Sequence, residues 1–182
     1  MTAERHYPET DVSSFPTPPR GFEDGEGRDV EIRQFHEEDV EPLVEMYEDF
    51  DPADRAQGIP PVGEERIRDW LDHLLGSGSY NVVAWEDETV VGHATLVEDD
   101  EGAYELAIFV HQTYQGAGIG TTLLKTLLGH GNQQGVEKVW LTVERWNRPA
   151  VSLYEKVGFE TTEAESFELE MAIRLPGGTD DG

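Results

Sequence analysis

The chain has 182 residues, 37% of them apolar, which suits one globular domain with a buried core. Its 39 acidic residues outnumber 13 basic ones, giving a net charge of −26, and only Lys125, Lys138 and Lys156 are lysines. That balance argues against nucleic-acid binding, the lack of cysteine excludes disulfides and thiolate metal sites, and no run approaches the ~18 apolar residues of a membrane span.

A soluble, cytoplasmic protein with no nucleic-acid or membrane partner is therefore expected. The six histidines are scattered without ligand spacing, so no metal is expected either. The acids are spread along the whole chain rather than blocked, which reads as adaptation to a high-salt, halophilic cytoplasm. In molar salt the Debye length falls to ~3 Å and screens the self-repulsion. A docking surface for a cationic partner is the competing reading.

Residues 1–27, rich in proline, glycine and acids, are expected to form a flexible acidic leader, with the folded domain over 28–176 and a tail over 177–182. Val30 and Ile32 alternate with Glu31 and Arg33, the pattern of a first strand. From 37 to 50, Val40, Leu43, Val44, Tyr47 and Phe50 recur at three- and four-residue steps, which predicts an amphipathic helix stopped by Asp51 and Pro52. A Pro/Gly-rich loop over 57–63 leads into a second helix over 64–75, with Ile67, Trp70, Leu71, Leu74 and Leu75 on one side. Two strands, 80–85 and 89–97, flank the acidic turn Glu86-Asp87-Glu88 and predict an antiparallel hairpin.

The run 103–110, apolar at nearly every position, reads as a central strand covered on both faces. A glycine-rich turn over 115–120 opens a helix with Leu123, Leu124, Leu127 and Leu128 as its buried stripe, and Gly135 closes it before a strand over 136–143. Strand, helix, strand predicts a parallel pair with a right-handed crossover. Pro149 suits the first turn of a short helix that Gly158 ends, and strands over 159–162 and 167–175 finish the chain.

The turn Gln115-Gly116-Ala117-Gly118-Ile119-Gly120-Thr121 lets backbone approach a ligand closely and aims the uncapped N–H groups of a helix start at it, an anion site suited to a pyrophosphate. A P-loop needs Gly-Lys-Ser/Thr, but the chain reads Gly120-Thr121-Thr122. A dinucleotide fingerprint needs a third glycine where Thr121 stands. Neither rival fits.

The segment resembles the acetyl-CoA loop of the GNAT superfamily, Gln/Arg-x-x-Gly-x-Gly/Ala after a strand ending in Val, here Gln115 to Gly120 after Val110. A second family signature follows: Asn147-x-x-Ala150-x-x-Leu153-Tyr154-x-x-x-Gly158-Phe159. The resemblance covers roughly residues 28–176. It implies an α/β (α+β) GNAT fold, a mixed, mostly antiparallel sheet splayed at two central parallel strands and flanked by helices. It further implies acetyl-CoA as donor, with the pantetheine arm against Ile108, Phe109 and Val110 and the pyrophosphate on backbone amides from Gln115 through Gly116, Ala117, Gly118, Ile119 and Gly120 to Thr121. Asn147 would bond the pantetheine, or simply cap the helix that Pro149 begins.

Amine attack on a thioester calls for a general base, an oxyanion donor and a proton for the leaving thiolate. Glu105, a carboxylate inside an otherwise apolar strand, is the candidate base, with Glu144 in reserve and a solvent-facing edge as its alternative reading. Tyr154 is the candidate acid by resemblance, and core packing is its alternative. The expected activity is transfer of acetyl to a primary amine, a protein lysine first and a small amine or polyamine second. A non-catalytic acyl-CoA sensor is the competing class. The resemblance also implies that the first two helices and the loop from Asp51 to Gly63 form the acceptor wall. Family analogy also suggests a homodimer paired through the last strands.

Overall fold

The computed structural model describes residues 5–54 and 59–177. Residues 1–4, 55–58 and 178–182 lie outside it, and with them the start of the loop expected over 57–63 and most of the expected tail.

The sheet is built from β1 (Arg20–Glu23), which was not predicted, and from the seven expected strands β2 (Asp29–Gln34), β3 (Ser79–Glu86), β4 (Thr89–Glu98), β5 (Tyr104–Val110), β6 (Lys138–Glu144), β7 (Glu160–Ala164) and β8 (Glu168–Arg174). Among the described residues these form one sheet of order β1-β2-β3-β4-β5-β6-β8-β7. Only β5 and β6 run parallel; every other neighbour is antiparallel. The fold is therefore the open, mostly antiparallel mixed sheet expected from the sequence.

Two helical layers cover the sheet. Helix α3 (Ile119–Gln133) lays Leu123, Leu124, Leu127 and Leu128, all fully buried, on one face against Val82, Ala94 and Leu96. Burying each such leucine contributes about 1.5–3 kcal/mol. Helices α1 (Val40–Glu48) and α2 (Glu64–Leu74) close the other face with Leu43, Val44, Tyr47, Ile67 and Leu71 over Val83 and Val90. The first predicted helix begins as a 3-10 turn, Glu37–Asp39, where the Asp39 carboxylate accepts the His36 amide at 2.8 Å. Helix α4 (Arg148–Val157) starts on Asn147, whose side chain accepts the Ala150 amide, and stops at Gly158.

Of the segment expected to be a flexible leader, the described residues from Val12 onward are tied to the domain in this structure. β1 forms a hairpin with β2, Phe22 opposite Val30. Its turn is tied by the buried Asp24 carboxylate, which accepts the Glu26 and Arg28 amides at 2.9 Å and the Arg28 guanidinium at 2.7 Å. Earlier, the Val12 amide donates to the Arg174 carbonyl at 2.8 Å and Phe15 packs against the core. A four-residue strand with one large apolar side chain carries no readable period, which is why composition alone suggested disorder.

Candidate active site

Strands β4 and β5 stay paired to the end, from Glu98 opposite Tyr104 to Gly92 opposite Val110. β5 and β6 pair only at Tyr104 with Val139 and Glu105 with Trp140. Beyond that rung they diverge, so from Leu106 to Val110 one side of β5 has no strand partner. An unpaired strand edge offers alternating N–H and C=O groups to an extended ligand. The expected covering of β5 on both faces is thus incomplete: Ile108, Phe109 and Val110 are only half-buried because β6 has left them.

The wedge opens on a cavity of about 560 Å³. Ile108, Phe109 and Val110 form one wall, Gln115, Gly116 and Gly120 the floor, and Asn147, Leu153 and Tyr154 of α4 the opposite wall. Sequence reasoning placed eight of its site residues here, counting Ile108, Phe109, Val110, Gln115, Gly116, Gly120, Asn147 and Tyr154. The remaining residues of the turn shape it from behind. Gly118 adopts φ +86°, a conformation glycine takes without strain, and so swings the chain into α3. Ile119 is core, and the buried Ala117 accepts the Gly25 amide at 2.8 Å through its carbonyl. Thr121 lies half-buried in the first turn, and the earliest back-bond of α3 is from the Thr122 amide to the Gly118 carbonyl at 3.3 Å. The amides before it carry the positive end of the helix dipole.

Tyr154 is buried, its ring edge-on to Phe159 at 5.7 Å, and burial pushes its phenol up to about 12. Glu105 does not line the cavity. It stands on the last rung that joins β5 to β6, exposed at its outer side, and desolvation by the surrounding strands still raises its carboxyl, with Arg5 opposing and Asp99 reinforcing the shift. Beside it Trp140 donates to Asp99 at 2.9 Å and carries the Arg5 guanidinium 3.4 Å above its ring. Glu144 stands at the far end of β6, half-buried, and accepts from the Trp146 indole at 3.1 Å. Asn147 does cap α4 and also faces the cavity, so the two readings of it are compatible.

The first two helices and the loop from Asp51 to Gly63 were expected to wall the acceptor side, but no single residue there was named. Phe50 and Asp54, after α1, line the cavity mouth. They are held by side chains that follow β5: His111 Nε2 bonds Asp49 at 2.7 Å while its Nδ1 accepts the Thr113 amide. Gln112 donates to the Asp49 carbonyl at 2.7 Å and accepts the Asp51 amide at 3.0 Å, and Gln115 reaches Asp54 at 3.2 Å. These pairs span some sixty positions of sequence and carry no local pattern.

With this geometry, the family model described as the acetyltransferase (GNAT) family matches residues 41–159, and the chain belongs to that family. The mycothiol acetyltransferase of Corynebacterium glutamicum is 35% identical over 81 residues, covering 44% of this chain and 28% of that protein. The ribosomal protein bS18-alanine N-acetyltransferase of Haemophilus influenzae is 35% identical over 91 residues, 49% of this chain and 60% of that one. The chain thus matches less than two thirds of either relative's length. Among solved structures, yncA of Salmonella typhimurium, held with its cofactor acetyl-CoA, has a similar fold, with a TM-score of 0.66 over 84% of this chain and 95% of that one at 21% identity.

Proposed function

We propose that the chain is an acetyl-CoA-dependent N-acetyltransferase that moves the acetyl group to a primary amine by direct attack. The observation that carries this reading is the split of β5 from β6, opening onto a cavity shared by Tyr154, Asn147 and the start of α3. The pantetheine arm of acetyl-CoA adds to Ile108, Phe109 and Val110 as a strand would, and its pyrophosphate rests on the amides between Gln115 and Thr121.

An alkyl amine, with a pKa of ~10.4 like lysine, reaches the site protonated and must lose that proton before it attacks. Glu105 takes this role, with Glu144 in reserve; from its place below the wedge Glu105 acts through water, and its raised pKa improves it as a base. The amine nitrogen bonds to the carbonyl carbon, an amide of the splayed strand donates to the oxyanion, and the carbon–sulfur bond breaks. Tyr154, kept protonated by burial, gives its proton to the departing thiolate.

A protein lysine is the first acceptor class. A small polyamine is the second, favoured by the Asp54 carboxylate beside Phe50 in the cavity lining. Thiol release from acetyl-CoA is measured in molar KCl with lysine peptides, polyamines and amino-acid amides. Turnover with at least one acceptor is expected. Tight acetyl-CoA binding without turnover of any amine would identify a sensor instead.

A further inference from the structure

Period-two alternation sends Leu106 and Ile108 of β5, Leu141 of β6 and Met171 of β8 into the core under α3. Glu105, Trp140, Glu170 and Ala172 therefore point to the opposite face of the sheet. Glu105 stands opposite Trp140, and Glu170 opposite Thr142, one alternation further toward the opening of the wedge. Helices α1 and α2 pack over Val83 and Val90 on this face. Its β6–β8 part carries the segment from Arg5 to Pro8. Arg174 Nε donates to the Pro8 carbonyl at 2.7 Å, and Tyr7 packs against Ala103, Trp140 and Ala172.

Arg5 reaches furthest toward the wedge. Its Nε lies 3.2 Å from the Glu170 carboxylate, and its guanidinium carbon sits 3.4 Å from the centre of the Trp140 ring. The indole is itself fixed by its bond to Asp99 at 2.9 Å. An aromatic face beside a carboxylate holds a cation by its quadrupole and by a charge-assisted hydrogen bond, and here the chain's own arginine supplies that cation. The place matters for the reaction. With the pyrophosphate at the Val110 end of β5, an extended pantetheine runs back along the strand and brings the thioester toward Glu105. An amine arriving protonated heads for the same carboxylates, and Arg5 is there already: burial raises the Glu105 carboxyl, and the Arg5 charge opposes the rise.

Resting on the wedge reading above, we propose that the Trp140 ring and the Glu170 carboxylate form a cation subsite on the acceptor side, occupied by the chain's own Arg5, which an acceptor with a second cationic group displaces when it binds. The N-terminal segment is then an autoinhibitory strap across the acceptor face. Two measurements test it on the full chain. N-acetyl-arginine amide, a guanidinium with no amine to acetylate, is titrated by NMR. Thiol release at saturating acetyl-CoA is followed with spermidine, with an N-blocked lysine–arginine peptide and with n-butylamine, which has no second charge. Arg5→Ala is expected to bind the arginine probe about tenfold more tightly than wild type, and adding Glu170→Gln should abolish that gain. Arg5→Ala should also lower the KM of spermidine or of the peptide about tenfold, whichever is the acceptor, with kcat and the KM of acetyl-CoA unchanged and n-butylamine unaffected. Arg5→Lys, which keeps the cation, should stay near wild type. Equal probe affinity in wild type and Arg5→Ala, or a gain that survives Glu170→Gln, would overturn the subsite. A gain shared by n-butylamine, or one in kcat alone, would make the segment a structural cover and overturn the proposal as well. Acetyl-CoA bound without turnover of either dication in any variant would overturn the acceptor role. Failure of wild type to bind acetyl-CoA would instead remove the wedge reading, an outcome the arginine titration separates from absence of the subsite.

Discussion

His93 is fully buried in β4 and tied into a chain of side-chain bonds. The Tyr47 hydroxyl lies 2.6 Å from Nδ1, the Asn81 amide oxygen 2.7 Å from Nε2, and Asn81 in turn donates to the Leu74 carbonyl at 3.0 Å. Burial lowers the imidazole from 6.5 to about 3, so the folded protein keeps it neutral where the unfolded chain protonates it. The sign follows: the unfolded state binds the extra proton between those values, so this group's stabilisation is complete above pH 6.5 and is lost progressively as pH falls toward 3. One proton is worth about 1.4 kcal/mol per pH unit, so acidification from pH 7 to pH 5 removes about 2 kcal/mol through this residue. Urea unfolding of wild type and His93→Gln at both pH values isolates it, because the other titrating groups, His130 included, cancel in the difference. The variant should be less stable at pH 7 and lose about 2 kcal/mol less than wild type on going to pH 5. Identical pH slopes would show that His93 is not held neutral by its burial.

Tyr154→Phe should lower kcat by ten- to a hundredfold with acetyl-CoA affinity nearly kept, read by single-turnover thiol release; wild-type rates would reduce the residue to packing. Glu105→Gln should lower turnover and flatten the acid limb of the pH–rate profile, and an unaltered profile would shift the base to Glu144. Gly129→Ala forces its methyl against the Pro16 carbonyl, an overpacking that should destabilise by about 1–3 kcal/mol and expose the N-terminal segment to limited proteolysis, whereas unchanged cleavage would contradict the observed packing. The −26 charge predicts a melting temperature that climbs with KCl into the molar range, and a salt-independent value would refute screening as the reason for the acidity.

The elements that carry the site were legible because each has a strong local period or punctuation. The leucine stripe of α3, the glycines before it and the Asn147–Gly158 frame of α4 are all local patterns, and the structure brings eight of the named residues to one cavity. What escaped was set by tertiary contact. β1 is too short to show a period and is held by the Asp24 turn. Phe50 and Asp54 reach the cavity only because His111, Gln112 and Gln115 fasten the end of α1 to the end of β5. Glu105 stood out as a charge in an apolar strand, but its place on the last rung before the split depends on where β6 departs, which no property of β5 alone encodes.

The most direct test is a crystal structure of the chain with coenzyme A bound. The account predicts an extended pantetheine hydrogen-bonded along Ile108, Phe109 and Val110, the thiol beside the Tyr154 hydroxyl, and the pyrophosphate within bonding distance of amides between Gln115 and Thr121. Strands β5 and β6 zipped together past Glu105, or the ligand seated away from this cavity, would contradict it.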